Sequence, residues 1–376
     1  MDSNDQQTIG HGSALMARID AFLKLGLQQG CSDIHLAVGV PPMLRLHGDL
    51  TPIRFRDLGG TELQGYVDEI LTENQRDRFD MGGDIDFAYV SEDGGRFRVN
   101  IFRKETGVGA TFRHIPDEVP ALDKLGMPPI VKKLCDHHQG MVLVTGSTGT
   151  GKSTTLAAMI DHINRTRKVN IISLEDPIEF VHTSKSSQII QRELGTHIRS
   201  FADGVRAAMR EDPDVILVGE LRDEETISMA MTAAETGHLV LGTLHTTGAV
   251  KTIDRMIDAL PAELREQTKS FLAQGLNAVI SQVLVRTPDS RGRKAVLEIM
   301  IMTRAIAKLI SKDQTHQIPS QLQTGKNLGM QMLDQALLDA IEAKEIDPDH
   351  AVTFAQDKSL FKRFVTDTSL MPRFET

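Results

Sequence analysis

The chain has 376 residues, of which 40% are hydrophobic and 25% are charged, a composition typical of a soluble globular protein with two domains. The formal net charge of -9 argues against nucleic acid or an anionic membrane surface as the main partner, because both bind basic protein surfaces. No apolar run reaches the ~20 residues of a membrane-spanning helix, so we expect no transmembrane segment and a cytoplasmic location. Cys31 and Cys135 form no CxxC pair, and we expect two reduced thiols.

The first part of the chain predicts a flexible tail over residues 1–12 and a small α+β domain over residues 13–116. Apolar residues at helical spacing predict two helices, and alternation of apolar and polar residues predicts strands before and after the second helix. The predicted helices span residues 14–28 and 61–79, and the predicted strands span residues 31–38, 43–50, 84–90, 96–103 and 108–115. We expect these strands to form a single small sheet.

A proline-containing segment, residues 117–129, predicts a linker to a second domain. After it, short continuous apolar runs alternate with helical segments, as is typical of parallel strands that helices cover on both faces. These runs span residues 141–145, 169–174, 215–219 and 239–244. The sequence thus predicts an α/β domain over residues 130–346, with outer helices over residues 254–285 and 328–343, followed by a polar tail over residues 347–376.

The first of these runs continues into a glycine-rich loop and then a helix-forming segment. Gly146, Gly151, Lys152 and Ser153 match the spacing G-x-x-x-x-G-K-[ST], in which main-chain N–H groups and the helix N-terminus bind phosphates. We expect Lys152 to reach the β and γ phosphates of ATP, and the Ser153 hydroxyl to bind Mg²⁺. The predicted nucleotide-binding residues are Gly146, Ser147, Thr148, Gly149, Thr150, Gly151, Lys152, Ser153 and Thr154.

Acidic residues follow the second and third apolar runs, at residues 175–179 and 220–224. In a parallel sheet the ligand site lies outside the carboxyl ends of the strands, so we expect both clusters beside the phosphate loop. Hydrolysis of ATP requires one acid on Mg²⁺ and its waters, and a second carboxylate that orients or deprotonates the attacking water. We assign the metal side to Glu220, which directly follows its strand, and the attacking water to Glu179.

Two histidines, His238 and His245, lie on either side of the fourth apolar run. A zinc site is not expected, because no third ligand lies at a metal-binding spacing. A histidine beside an apolar run is often a satisfied core or edge residue, and this alternative stays open. We interpret both histidines as donors to the γ-phosphate that report ATP or its loss.

Arginines mark one face of the predicted strand over residues 96–103. Arg96 and Arg98 alternate there with apolar side chains, and Arg113 has the same polar parity in the next strand. One interpretation is a solvated sheet surface. The other is that these three guanidinium groups face the nucleotide of a neighbouring subunit, where they stabilise charge on the transferring phosphoryl group.

The phosphate loop and residues 172–182, 210–223 and 236–247 resemble the four sequence boxes of secretion ATPases, most closely those of the PilT-type retraction ATPases of type IV pili. Residues 32–50 and 100–116 also resemble the PAS-like N-terminal domain of that family. The resemblance implies an α/β fold with a RecA-like ATPase domain after a PAS-like domain. It also implies a homo-hexamer in which N-terminal domains supply arginines across subunit interfaces.

The resemblance assigns roles to several residues and names partners. Lys152 and Ser153 would bind phosphate and Mg²⁺, Glu179 would be the catalytic glutamate, Glu220 the acid of an atypical Walker B box, and His238 and His245 the histidine-box pair. The implied partners are an inner-membrane platform protein at the pilus base and other pilus motor ATPases. The protein would thus lie at the inner membrane through the pilus machine and power retraction for twitching motility.

Two departures refine this resemblance. Extension motors and type II secretion motors usually carry a tetracysteine zinc insert, which two cysteines cannot build, so the retraction branch is favoured. Typical retraction motors carry the helix motif AIRNLIRE, whereas residues 305–312 here are Ala-Ile-Ala-Lys-Leu-Ile-Ser-Lys. This difference leaves open an accessory, PilU-like paralogue or a motor for a specialised pilus.

Two other functions are less compatible with the sequence. A nucleic-acid translocase on the same core would need a basic groove and aromatic stacking residues, whereas this acidic chain has no Trp and 4% aromatic residues. A nucleotide-binding regulator without turnover is disfavoured because the carboxylates that hydrolysis requires are present.

Overall fold

The computed structural model describes residues 18–46, 49–93, 95–115 and 118–370, which form two compact units divided between residues 117 and 118. The predicted flexible tail, residues 1–12, lies outside the described residues. Each unit has its own hydrophobic core and its own sheet.

The N-terminal unit is a six-stranded antiparallel sheet with strand order β3-β2-β1-β6-β5-β4. Its elements are α1 (Asp20–Gln28), β1 (Asp33–Ala37), β2 (Met43–Leu46), β3 (Asp49–Pro52), α2 (Gly60–Ile70), α3 (Glu73–Asp80), β4 (Ile85–Val90), β5 (Arg96–Lys104) and β6 (Gly107–Ile115). Alternation along β5 buries Phe97, Val99 and Ile101, and these side chains pack in one core with Leu23 of α1 and Val67 of α2.

The single helix predicted over residues 61–79 is two helices, α2 and α3. Leu71 and Thr72 between them have extended main-chain conformations. The Thr72 side chain accepts a hydrogen bond from Gln75 N, and Thr72 N donates to Gln75 Oε1 at 2.9 Å. This capping box begins a new helix, so the break has a local cause that hydrophobic periodicity does not reveal.

The C-terminal unit contains a seven-stranded sheet with strand order β13-β12-β7-β11-β10-β8-β9. The strands are β7 (Gly140–Thr145), β8 (Asn170–Glu175), β9 (Gln188–Glu193), β10 (Val215–Val218), β11 (Leu239–Leu244), β12 (Leu276–Arg286) and β13 (Arg293–Ile301). The helices are α4 (Pro129–Cys135), α5 (Lys152–Thr166), α6 (Phe201–Ala208), α7 (Glu224–Glu235), α8 (Ala249–Asp258), α9 (Arg265–Gly275), α10 (Arg304–Ser311), α11 (Ile318–Thr324), α12 (Leu333–Glu342) and α13 (Pro348–Ala351). The β12–β13 pair is antiparallel and the other neighbours pair in parallel.

Both faces of this sheet are buried, which explains the continuous apolar runs. Every residue of β7 is buried, but its side chains alternate between two cores. Met141 and Leu143 pack in one core, whereas Val142 and Val144 pack in the other. A strand that helices cover on both sides needs apolar residues at every position, so its sequence loses the alternation of a half-buried strand.

The helix predicted over residues 254–285 is wrong in its last third, residues 276–285. Residues up to Gly275 complete α8 and α9, and the chain then enters β12, which pairs with β7 and β13. β-Branched residues are frequent in this stretch and favour a strand. Because most of β12 is buried continuously, its pattern is as compatible with a buried helix as with a strand.

The predicted polar tail is also wrong for residues 347–370, which pack against β12, β13 and α12. This segment contains α13 and a 3₁₀ helix (Lys358–Phe361), and it buries Ala351, Val352 and Phe361 beside Val285 of β12 and Leu337 of α12. Its apolar residues stand in short pairs, such as residues 351–352, 360–361 and 364–365, which charged and polar residues separate. Its carboxylates cap local main-chain N–H groups. The charged residues between the apolar pairs therefore gave the wrong impression of a polar tail. Residues 371–376 lie outside the described residues.

We expect Phe361→Ala to lower the free energy of unfolding of the C-terminal unit by ~3–5 kcal/mol, because Phe361 is 0% exposed and its removal leaves a cavity. Its neighbour Leu360 is 49% exposed, so Leu360→Ala should change stability by less than ~0.5 kcal/mol. Urea unfolding followed by circular dichroism measures both variants. Equal small effects would show that this segment does not contribute to the folded core.

Candidate active site

The glycine-rich loop lies between β7 and α5, where positive-φ glycines let the main chain turn sharply. The φ angle is 142° at Gly146, 80° at Gly149 and 84° at Gly151. A Cβ atom on Gly146 would lie 2.4 Å from the main-chain oxygen of Gln282 on β12, so no larger residue fits there. Gly151 precedes the 15-residue helix α5, whose N-terminal N–H groups and dipole favour an anion.

Lys152 lies inside this loop. Its Nζ donates hydrogen bonds to the main-chain oxygens of Gly146, at 2.8 Å, and Ser147, at 3.1 Å. Burial lowers the pKa of Lys152, while the carboxylates of Glu220 and Glu179 oppose this shift through their negative charge. The loop lysine and both predicted acids therefore lie within electrostatic range of one another.

Glu220 follows β10, and its carboxylate contacts the side chains of Arg222 and His245. Its Oε1 is 2.6 Å from Arg222 Nε and 2.9 Å from His245 Nε2. Arg222 therefore pairs with Glu220, whereas the neighbouring Asp223 caps α7 by accepting a hydrogen bond from Thr226 N at 2.8 Å.

His245 links this acid to the phosphate loop. Its Nδ1 lies 3.5 Å from Thr148 Oγ1, while its Nε2 contacts Glu220. The imidazole thus contacts two groups that follow different strands, Thr148 after β7 and Glu220 after β10. This position is compatible with a residue that responds to the terminal phosphate of a nucleotide.

His238 is not part of this site within one chain. It precedes β11, whereas His245 follows it, and a strand of this length separates them by about 20 Å. Its Nδ1 lies 2.8 Å from the main-chain oxygen of Ala233 at the end of α7. The prediction that both histidines donate to the same γ-phosphate is wrong for a single subunit, because they lie at opposite ends of β11.

Glu179 lies half-buried in a turn that follows β8, and β9 fixes the shape of this turn. Gln191 Nε2 donates to the Phe180 oxygen at 2.8 Å, and Gln191 Oε1 accepts from His182 N at 2.8 Å. Glu193 Oε2 also accepts from Ile178 N at 3.1 Å. The turn that presents Glu179 is therefore held by side chains of the neighbouring edge strand.

Glu175, the last residue of β8, also supports this turn through hydrogen bonds. Its carboxylate accepts hydrogen bonds from Ser173 Oγ at 2.7 Å and Gln191 Nε2 at 3.1 Å, and the Glu179 N–H also donates to it. Burial raises the pKa of Glu175. Sequence reasoning singled out neither Glu175 nor Gln191 as a structural support. The sequence carried no such signal, because four of the six residues of β9 are polar and Gln191 does not stand out among them.

The site also fits Mg²⁺ as the sequence predicts. Mg²⁺ usually retains several waters and binds one or two protein oxygens together with substrate phosphates. The Ser153 side chain is exposed in the first turn of α5, and Glu220 provides a carboxylate near Lys152. Within the described ranges, no group of three His, Cys, Asp or Glu side chains could hold a metal ion by itself.

The predicted trans arginines lie in the N-terminal unit, on the sheet face opposite its core, and they differ in their partners. Arg113 Nε donates to Oδ1 of the buried Asp33 at 2.8 Å. Arg98, its direct neighbour across β5 and β6, has no hydrogen bond or ion pair with any residue that the structure describes. Of the two guanidinium groups, that of Arg98 has no partner among the described residues, whereas Arg113 is the more exposed residue.

Comparison with known proteins identifies the family. A family model described as Type II/IV secretion system protein matches residues 77–347. The chain is 48% identical over 319 residues to the type IV pilus retraction ATPase PilT of Pseudomonas aeruginosa, an alignment that covers 85% of this chain and 92% of that protein. The chain belongs to the secretion ATPase family. This secretion ATPase is also 49% identical over 316 residues to a twitching motility protein of Neisseria gonorrhoeae, with 84% of each protein covered.

A solved structure extends the similarity to the fold. The crystal structure of the pilus retraction motor PilT with bound ADP is 41% identical to this secretion ATPase and matches it with a TM-score of 0.85, covering 91% of this chain and 98% of that chain. The predicted α/β fold, with a RecA-like ATPase domain after a small α+β domain, is confirmed, as is membership of the PilT-type branch. The protein is an ATP-hydrolysing enzyme. Among the described residues, no helix is long and apolar enough to cross a membrane.

We expect Gln191→Leu to lower kcat about 10- to 100-fold while the KM for ATP changes less than about twofold, because the turn that carries Glu179 loses its fixed geometry and the phosphate loop does not. Gln188→Leu is the matched control, since Gln188 lies exposed on the same strand. Steady-state ATPase kinetics separates the two parameters. Equal rates for both variants would show that the turn does not depend on Gln191.

Proposed function

We propose that this protein is a Mg²⁺-dependent ATPase motor that powers retraction of type IV pili. The observation that carries the proposal is the convergence of Lys152, Glu179 and Glu220 at one sheet edge, in a chain 48% identical to a pilus retraction ATPase. The phosphate loop, Gly146 to Thr154, is the proposed ATP site. Ser153 and Glu220 are the proposed residues on the metal side.

The geometry supports a specific sequence of contacts. On ATP binding, the Lys152 ammonium would exchange the oxygens of Gly146 and Ser147 for the β and γ phosphates, so that it remains hydrogen-bonded throughout. Bound Mg²⁺ supplies charge neutralisation between the β and γ phosphates. Glu220, already oriented by Arg222 and His245, would accept hydrogen bonds from waters on the metal side.

Glu179 would act on the attacking water. The water oxygen bonds to the γ-phosphorus while the bond from that phosphorus to the β–γ bridging oxygen breaks, giving ADP and phosphate. Glu179 accepts a hydrogen bond from the water and takes up its proton, which is released with the products. His245, in contact with Glu220 and next to Thr148, is the proposed reporter of the γ-phosphate.

Glu179→Gln should bind ATP with nearly unchanged affinity but lose turnover by about 10²- to 10⁴-fold, because the amide keeps the shape and removes the base. Glu235→Gln is a suitable control, because Glu235 is exposed at the end of α7, beside His238 at the opposite sheet edge. Nucleotide affinity is measured by fluorescence titration and turnover by phosphate release. A parallel collapse of affinity would instead assign Glu179 to binding or structure.

Assembly into a homo-hexamer is part of the proposal. Arg222 pairs with the metal-side acid, so the site lacks an obvious arginine to stabilise the transferring phosphoryl group. Arg98 and Arg113 occupy a unit that holds no phosphate loop of its own. We propose that one of them, Arg98 before Arg113 because of the Asp33 pairing, acts on the nucleotide of a neighbouring subunit.

Mixing Arg98→Ala subunits with Lys152→Ala subunits should restore part of the ATPase activity that each variant lacks alone, because one supplies an intact site and the other an intact arginine. An arginine supplied in trans accelerates phosphoryl transfer by about 10³- to 10⁵-fold, so each single variant should be nearly inactive. Arg78→Ala, at an exposed arginine of α3, should be active by itself. Absence of rescue, with a rate independent of protein concentration, would argue that each subunit is complete.

The proposed partners are an inner-membrane platform protein at the pilus base and other pilus motor ATPases, and the proposed location is cytoplasmic, at the inner membrane through the pilus machine. Deletion of the gene tests the proposed role in pilus retraction. Pili that persist without retracting support the proposal, whereas normal retraction contradicts it. Stimulation of the purified ATPase by single-stranded DNA would favour a nucleic-acid translocase instead.

A specific feature of α10 supports a second candidate, an accessory or specialised-pilus motor. Ile306 and Ile310, which keep the apolar positions of the AIRNLIRE motif, are buried. Lys308 and Lys312, which replace Asn and Glu of that motif, are exposed. The differences thus alter a surface and leave the packing intact, as expected for a changed partner. Complementation of a deletion in the main retraction motor distinguishes the two candidates.

A further inference from the structure

Gln282 connects the phosphate loop to β12 through a buried amide. Its side chain is 2% exposed. Gln282 Nε2 donates to the main-chain oxygen of Thr150 at 2.6 Å, and Gln282 Oε1 accepts from Thr155 Oγ1 of α5 at 2.8 Å. One amide therefore joins β12, the phosphate loop and the helix that follows it.

The loop is shaped to fit against this residue. A Cβ atom on Gly146 would lie 2.4 Å from the Gln282 main-chain oxygen, and one on Gly151 would lie 3.0 Å from Gln282 Nε2. The first and last glycines of the phosphate loop thus both approach the same residue of β12. Their lack of side chains permits this close contact as well as the turn itself.

The bond to Thr150 has a consequence for the neighbouring N–H group. The Thr150 carbonyl and the Gly151 N–H belong to one planar trans peptide, so they point in opposite directions. When Gln282 holds the Thr150 oxygen towards β12, the Gly151 N–H must point away from β12. In loops of this spacing, main-chain N–H groups are the donors to phosphate.

We propose that Gln282 is a positioning residue for nucleotide binding, which fixes the orientation of the Thr150–Gly151 peptide and thereby directs the Gly151 N–H towards the phosphates. This inference rests on the proposed nucleotide site. If Gln282 had only a structural role, its substitution would lower the free energy of unfolding without a selective loss of nucleotide affinity.

The test uses Gln282→Met in the full chain, because Met preserves the length of the side chain and removes both hydrogen bonds. We expect the Kd for ADP to rise about tenfold, since two hydrogen bonds that orient the loop are lost. Gln331→Met is the matched control: Gln331 Nε2 donates to the Leu297 oxygen at 2.7 Å in the same unit but outside the site. This control should lose stability with less than a twofold change in the Kd.

Two further variants separate the two ends of the amide. Gln282→Glu cannot donate to the Thr150 oxygen and should weaken ADP binding at least as much as Gln282→Met. Thr155→Val removes only the hydroxyl that holds Oε1, so it should raise the Kd about threefold. If Gln282→Met does not fold, these two variants decide the question in the same way.

A Kd for Gln282→Met equal to that of Gln331→Met would overturn the inference, as would normal ADP binding by both Gln282→Glu and Thr155→Val. Lys152→Ala, measured in parallel, distinguishes this failure from failure of the proposed site. If Lys152→Ala loses ADP binding while the Gln282 variants retain it, only the positioning role is wrong. If Lys152→Ala also binds ADP normally, the proposed nucleotide site is wrong.

Discussion

The parallel arrangement of β7, β8, β10 and β11 is the constraint on which the active site depends. The carboxyl ends of parallel strands lie side by side at one edge of a sheet. Residues far apart in sequence therefore meet there even when the loops that carry them are short. The phosphate loop follows β7, the Glu179 turn follows β8, Glu220 follows β10 and His245 follows β11. The apolar cores on both faces hold these strand ends in register, which is why the chemistry can rest on short loops.

The charged groups of the site already have partners before any phosphate arrives. Lys152 is hydrogen-bonded to main-chain oxygens, and Glu220 is paired with Arg222 and His245. An uncompensated charge in a partly buried site is costly, so nucleotide binding here exchanges one set of partners for another. Through its contacts with Arg222 and His245, Glu220 links the segments that follow β10 and β11.

Two glutamines show how flanking strands support loops that carry the chemistry. Gln191 of β9 shapes the Glu179 turn, and Gln282 of β12 holds the phosphate loop. Each amide donates to a main-chain oxygen of the loop and accepts a hydrogen bond with its own oxygen, so it constrains the loop more tightly than a single contact would. The phosphate loop and the Glu179 turn thus each depend on a side chain from a neighbouring strand.

The sequence by itself determined the phosphate loop, its lysine and the acids after two strands, because each follows from local spacing along a strand–loop–helix segment. Tertiary structure alone decided the rest. His238 and His245 look equivalent around one apolar run, but the strand between them places them at opposite sheet edges. Contacts in the folded chain also determined the pairing of His245 with Glu220, the roles of Gln191 and Gln282, and the packing of residues 347–370. These features depend on contacts between residues distant in sequence, and hydrophobic periodicity and motif spacing describe only neighbours along the chain.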